Sequence, residues 1–190
     1  MDFSKIEKCT TNANEFLCAL RVASRNYDVF SIIRARLNVN TYVDAITTNE
    51  NSESLIELVV QIIKRDESGE FGQSFMHSIT CDKIIETVEN STFKIKANFV
   101  HAFQRITKNI DASFIRNECG ETVRRVVQLS VIDTKTALKL MVFIIKEGLL
   151  NDVAYLDDIY REVIDMADEE EIRNYSELTK IIEEFFDDGD

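Results

Sequence analysis

The fold class is decided by residues 133–148, which read DTKTALKLMVFIIKEG. From Ala137 to Ile145 the segment is apolar on nearly every side, as in a helix enclosed by a protein core. Asp133 is a residue type that favours the N-cap of a helix, and Gly148 is the type that most often follows the last turn. The segment therefore predicts a buried central helix over residues 134–147.

The composition of the whole chain agrees with a helical protein. Its 190 residues include no proline and five glycines, where average usage would supply about 10 prolines and about 13 glycines. Proline breaks helices and glycine supplies the positive φ of tight turns, so the scarcity of both favours helices and leaves no material for a glycine-rich phosphate loop. Apolar residues recurring at helical spacing predict an all-α multi-helix bundle of about eight to ten helices. A strand is an alternative at residues 93–97 and 126–132.

The domain organisation is indicated by one break in the chain. Gly69 and Gly72 stand close together between two stretches of helical pattern. This predicts an N-terminal helical half over residues 1–68 and a C-terminal half over residues 73–190 that ends in acidic helices. A single domain is the alternative, because 190 residues lie within the usual size range of one domain.

The net charge of −12 is unevenly distributed. Residues 151–190 contain 15 acidic residues against three basic ones, so residues 1–150 are neutral as a whole. Within them, residues 92–146 contain ten Lys and Arg against four acidic residues. The protein thus has a basic middle and an acidic end, an asymmetry that bears on the choice of partners.

The basic middle contains a candidate nucleic-acid surface. Over residues 93–109 the spacing of Lys94, Arg105 and Lys108 places them on one face of a predicted helix, opposite an apolar face. A row of basic side chains can contact the phosphates of a nucleic acid, although a solvated face of an amphipathic helix is the alternative. The candidate nucleic-acid-binding residues are Lys94, Lys96, Arg105, Lys108, Arg116, Arg124, Arg125, Arg21 and Arg25.

The acidic end contains a candidate protein interface. Two amphipathic helices are predicted there, and they serve either as a solubilising surface or as a docking surface for the basic middle of a neighbouring copy. Complementary ends favour head-to-tail contacts, which close into rings or continue as filaments. The candidate interface residues are Tyr175, Leu178, Ile182, Phe185 and Phe186.

Sequence signatures of enzymes are absent. The chain has no GxGxxG, Walker, GxSxG, HExxH or EF-hand pattern. Its four cysteines form no CxxC pair, and only His77 and Cys81 stand one helical turn apart. We therefore expect a protein that is not an enzyme, with reduced thiols, no cofactor, no metal and no small-molecule substrate. No apolar run approaches the roughly 18 residues of a membrane span, so we expect no membrane association and a cytoplasmic location.

The size, the helical pattern and the basic set from Lys94 to Arg125 together resemble the helical RNA-silencing suppressors of closterovirus-like plant viruses. The resemblance implies an oligomer that binds duplex RNA through its backbone, without reading sequence. The acidic C-terminal region departs from that pattern. A Bcl-2-like bundle around residues 134–147 is a second resemblance, which rests on architecture alone.

Two functions are consistent with the whole sequence. The first is a viral accessory or regulatory protein that acts through protein–protein interaction and self-association. The alternative is an oligomeric RNA-binding protein that uses the basic helix face. The salt dependence of binding to RNA distinguishes them.

Overall fold

The computed structural model describes residues 56, 59–60, 63–64, 69–79 and 82–187. Every regular element in these ranges is an α-helix, which confirms the predicted all-α class. The helices with both ends in these ranges are α1 (Glu70–Ile79), α2 (Asp82–Glu89), α3 (Phe93–Thr107), α4 (Ala112–Glu118), α5 (Gly120–Ser130), α6 (Thr134–Glu147), α7 (Val153–Met166), α8 (Glu169–Asn174) and α9 (Ser176–Asp187).

The chain divides into two compact units between Thr87 and Val88. Gly69 has a φ of +70° directly before α1, a backbone conformation that glycine adopts readily, whereas Gly72 lies inside α1. Most of residues 1–68 lie outside the described part of the chain. The predicted division into two helical halves at these glycines therefore stays a prediction.

Helix α6 begins and ends at the predicted residues. The Asp133 carboxylate accepts hydrogen bonds from the backbone N–H of Thr136 at 2.8 Å and from its hydroxyl at 2.6 Å. At the other end Gly148 has a φ of +61°, the left-handed conformation that terminates many helices. Both caps confirm the helix over residues 134–147.

Helix α6 is also central to the second unit, which confirms its predicted burial. It packs against α3, α5, α7 and α9, so four other helices bury its apolar side chains. One stripe of α6 remains exposed to solvent and is basic, formed by Lys135, Lys139 and Lys146. The buried side chains of α6 are Thr134, Ala137, Leu138, Leu140, Met141, Val142 and Ile144.

The two segments for which a strand was the alternative are not strands. Residues 93–97 form the first turns of α3, and residues 126–130 form the end of α5, followed by a turn. The reason is the helical spacing of the buried side chains of α3 and α5. Helix α5 buries Val123 and Val126, three residues apart, which a helix places on one face and a strand on opposite faces. Burial of that face outweighs the preference of valine for strands.

Candidate interaction surfaces

Arg116, a predicted nucleic-acid-binding residue, makes a contact within the protein. It extends from α4, and its Nη1 atom donates a hydrogen bond to the carbonyl oxygen of Gly148 at 3.1 Å. That carbonyl lies at the C-terminus of α6, where unpaired carbonyl groups and the helix dipole favour a cation. The half-buried guanidinium of Arg116 thus stabilises the end of the central helix.

Arg124 connects α5 to the start of α7. Its guanidinium forms ion pairs with Asp152 and, at 3.2 Å, with Glu121. It also lies 5.7 Å from the ring centroid of Tyr155, within the range of a cation–π interaction. The Tyr155 hydroxyl donates a hydrogen bond back to the Arg124 carbonyl at 2.9 Å. Burial raises the pKa of Tyr155, so this hydroxyl stays protonated as a donor.

Asp152 has a second role in the same cluster, because it is also the N-cap of α7. Its carboxylate accepts a hydrogen bond from the backbone N–H of Tyr155 at 3.1 Å. One carboxylate therefore begins a helix and neutralises an arginine of another helix. This double use leaves little of the Arg124 charge available to a ligand.

Arg125 holds α5 against the last residue of α2, which belongs to the same unit. Its Nε and Nη2 atoms donate to the two carboxylate oxygens of Glu89, each at 3.1 Å. This paired geometry is among the strongest that an ion pair adopts. Like Arg116 and Arg124, Arg125 contributes to the fold, and its predicted contact with nucleic acid stays a prediction.

The lysines behave differently from these arginines. Lys94 and Lys108 are exposed, Lys96 is half-buried, and none of the three side chains has a hydrogen bond or ion pair among the described residues. Arg105 is half-buried and does have an interaction within the chain. The predicted residues Arg21 and Arg25 lie outside the described ranges.

Helix α6 adds three basic residues that the sequence reasoning missed. Lys135, Lys139 and Lys146 are exposed, and in the described part of the chain their side chains too have no hydrogen bond or ion pair. Lys139 and Lys146 follow Lys135 by four and eleven residues. This spacing places all three on one face of a helix, so the sequence contains the signal for a basic stripe. The apolar content of residues 137–145 is the stronger signal in the same segment, and it indicates burial.

The acidic surface is formed by α7, α8 and α9. Its three basic residues each form an ion pair with an acidic residue four positions away: Arg161 with Asp157 at 2.6 Å, Arg173 with Glu169 at 3.0 Å and Lys180 with Glu184 at 3.6 Å. The acidic residues far outnumber these three bases. The surface therefore keeps a large excess of negative charge after every local pair is counted.

An open cleft of about 590 Å³ lies between α7 and α9. Aromatic rings form part of it, since the ring centroids of Tyr160 and Phe186 are 5.8 Å apart. The Tyr160 hydroxyl donates to Glu183 Oε1 at 2.7 Å, and burial together with this carboxylate raises the pKa of Tyr160. The residues lining the α7/α9 cleft are Val153, Ala154, Asp157, Tyr160, Arg161, Glu183, Phe186 and Asp187.

The predicted interface residues fall into two groups. Ile182 is fully buried and belongs to the core of its own unit. Tyr175, Leu178 and Phe185 are half-buried, and Phe186 is half-buried in the wall of the cleft. Phe186 thus lines a concave surface, the α7/α9 cleft.

The side chains of the described ranges bear on two kinds of chemistry, metal binding and the reactivity of a thiol. These ranges contain no group of three or more His, Cys, Asp and Glu side chains that could hold a metal ion. Cys119 is buried between α4 and α5, and burial, with a smaller contribution from Glu118, raises the pKa of its thiol. A thiol in this setting stays protonated and is a poor nucleophile.

The described residues define an all-α helical bundle in which α7, α8 and α9 are acidic and α3 and α6 carry exposed lysines. Among them, no helix is long and apolar enough to cross a membrane. No protein-family model matches this sequence, and no curated protein or solved structure shows significant similarity to it.

Proposed function

We propose that this chain is a binding protein, not an enzyme, that acts through protein–protein contacts and associates with copies of itself. The observation that carries the proposal is the presence of excess charge of opposite sign on different helices of one unit. The acidic residues of α7, α8 and α9 far outnumber the bases beside them, and six lysine side chains of α3, α6 and the turn after α3 have no partner in the described ranges. Surfaces of opposite charge on one molecule attract a second copy and orient it.

The α7/α9 cleft is the part of the acidic surface where we expect a second copy to bind. Interfaces between proteins are stabilised mainly by buried apolar and aromatic side chains, with charged residues at the rim. The cleft has this composition, with Tyr160 and Phe186 inside and Asp157, Glu183 and Asp187 around them. The resemblance to viral proteins extends the proposal to a viral accessory or regulatory role, which stays a prediction.

Self-association of the full chain is expected to depend on salt. Sedimentation velocity at micromolar concentrations should detect oligomers at about 0.05 M salt and a tenfold or larger shift towards monomer at about 0.5 M salt, because exposed charges are screened over a few ångströms at the higher concentration. A double variant, Glu169→Lys with Glu170→Lys, should weaken association, since both acids are exposed on α8.

The same measurement can contradict the proposal. A chain that stays monomeric at low salt up to high micromolar concentration would exclude self-association by charged surfaces. Substitutions are preferable to removal of residues 176–190, because α9 contributes the fully buried Ile182 to the core and its loss would unfold the unit.

RNA binding is a second candidate, favoured by the unpaired lysines. Lys135, Lys139 and Lys146 on α6 add to Lys94, Lys96 and Lys108 near α3. Lysines of this kind bind the phosphates of duplex RNA without reading its sequence. Arg116, Arg124 and Arg125 have contacts within the protein, so the lysines support this candidate more directly than these three arginines of the predicted set.

The RNA candidate has its own test on heparin and on duplex RNA. If it holds, the protein is retained at low salt and released at moderate salt, because each neutralised phosphate releases a counterion. The triple variant Lys135→Glu, Lys139→Glu and Lys146→Glu should then lose retention. The matched control on the acidic surface, Arg161→Glu, Arg173→Glu and Lys180→Glu, should keep it. Absence of retention by the natural chain at low salt would exclude this candidate.

A further inference from the structure

The beginning of α3 presents an apolar side chain beside positive charges. Phe93 is 57% exposed, which is unusual for phenylalanine, and it is the first residue of the helix. Lys94 is exposed beside it, Lys96 follows two positions later, and neither side chain has a hydrogen bond or ion pair among the described residues. We name residues 93–96 the Phe93 segment. Its chemistry is that of a short ligand with one aromatic ring and two cations.

The α7/α9 cleft has the complementary chemistry. Val153, another exposed large apolar residue of the described ranges, lines it together with Ala154 and Phe186. Its acidic residues Asp157, Glu183 and Asp187 outnumber its single base, Arg161, which is already paired with Asp157. At about 590 Å³ this open cleft has a volume within the roughly 300–1,000 Å³ range of known ligand sites.

We propose that the Phe93 segment of one copy of this chain docks in the α7/α9 cleft of a second copy. This inference rests on the proposed function and names the contact through which self-association occurs. The phenyl ring of Phe93 packs against the apolar side chains of the cleft and meets the ring of Phe186 in an offset or edge-to-face arrangement. The ammonium groups of Lys94 and Lys96 lie near the carboxylates at the rim.

The contact is expected to be between molecules and to repeat. Phe93 is 57% exposed, so none of the described residues of its own chain buries it. The Phe93 segment and the cleft are different surfaces of one compact unit, residues 88–190, so each copy offers one of each. A contact between unlike surfaces of identical chains is heterologous and generates a ring or an open chain of copies.

Two variants, each lacking one side of the contact, test the proposal. The first variant, Phe93→Ser with Lys94→Glu, replaces the aromatic ring and one cation of the Phe93 segment. The second variant, Ala154→Arg, places a large cation at an exposed position in the cleft. Each variant alone should self-associate roughly tenfold to a hundredfold more weakly than the natural chain. The first variant lacks the phenyl ring that the cleft would bury, and in the second the new arginine keeps that ring out of the cleft. Mixed together, they should form a dimer of one copy of each and nothing larger, because one intact segment and one intact cleft remain in the mixture.

Met166→Ser is the matched control for the loss of an exposed apolar residue. Met166 is 54% exposed and does not line the cleft, so its replacement should leave association unchanged. Circular dichroism of each variant verifies that the helices are intact. Mass photometry or sedimentation velocity then reports the species present.

The outcomes separate this contact from the proposed function. If the natural chain forms salt-sensitive oligomers that both variants also form, self-association stands and this contact is wrong. If each variant is monomeric and the mixture is monomeric as well, the two surfaces do not bind each other and the contact is again wrong. A natural chain that is monomeric under all conditions overturns both proposals.

Discussion

Replacing Phe103 with alanine is expected to lower the free energy of unfolding by about 3–5 kcal/mol. Phe103 lies on α3 and is fully buried. Removing its ring takes apolar surface out of the core and leaves a cavity that the surrounding helices fill incompletely. Urea unfolding followed by far-ultraviolet circular dichroism measures the change.

Phe93→Ala is the matched control for this substitution, because it removes the same side chain from the same helix. Phe93 is 57% exposed, so its replacement should change stability by no more than about 0.5 kcal/mol. Equal losses at the two positions would contradict the burial described for α3. A small loss at position 93 also establishes that variants of this residue are folded when their association is measured.

Ile182→Ala is expected to lower the free energy of unfolding by about 2–5 kcal/mol. Ile182 is fully buried on α9, which packs against the central helix α6. The sequence analysis predicts that Ile182 lies in an interface with another molecule. The result expected for an interface residue differs from the one expected for a core residue. An interface residue would weaken association and leave the stability of the dilute protein nearly unchanged.

Lys180→Ala is the control on the same helix. The Lys180 side chain is 74% exposed and its ion pair with Glu184 is 3.6 Å long, so its loss should cost less than about 0.5 kcal/mol. If Ile182→Ala unfolds no more easily than this control, α9 does not belong to the core. Thermal unfolding at low protein concentration distinguishes the two results.

Local signals account for the part of the fold that the sequence predicts well. Asp133 and Gly148 are recognisable as helix ends because capping depends on residues within one turn. The buried character of residues 134–147 follows from their own composition. Such features need no knowledge of the rest of the chain.

The interactions of the arginines could not be predicted in the same way. Arg116 meets Gly148, and Arg124 meets Asp152, across 32 and 28 positions of sequence. Charge patterning places these arginines in a basic region, but their partners come near only when α4 packs by the end of α6 and α5 packs by the start of α7. For the same reason Ile182, at a spacing that fits either a core or an interface, was assigned to the surface.

The different use of arginine and lysine has a consequence for chemical modification. In the second unit, Arg116, Arg124 and Arg125 join helices, whereas the exposed lysines of α3 and α6 extend into solvent. Acetylation neutralises lysine and leaves arginine charged. The electrostatic potential of the basic surface can thus be changed by acylation of its lysines while the ion pairs that hold the helices together persist.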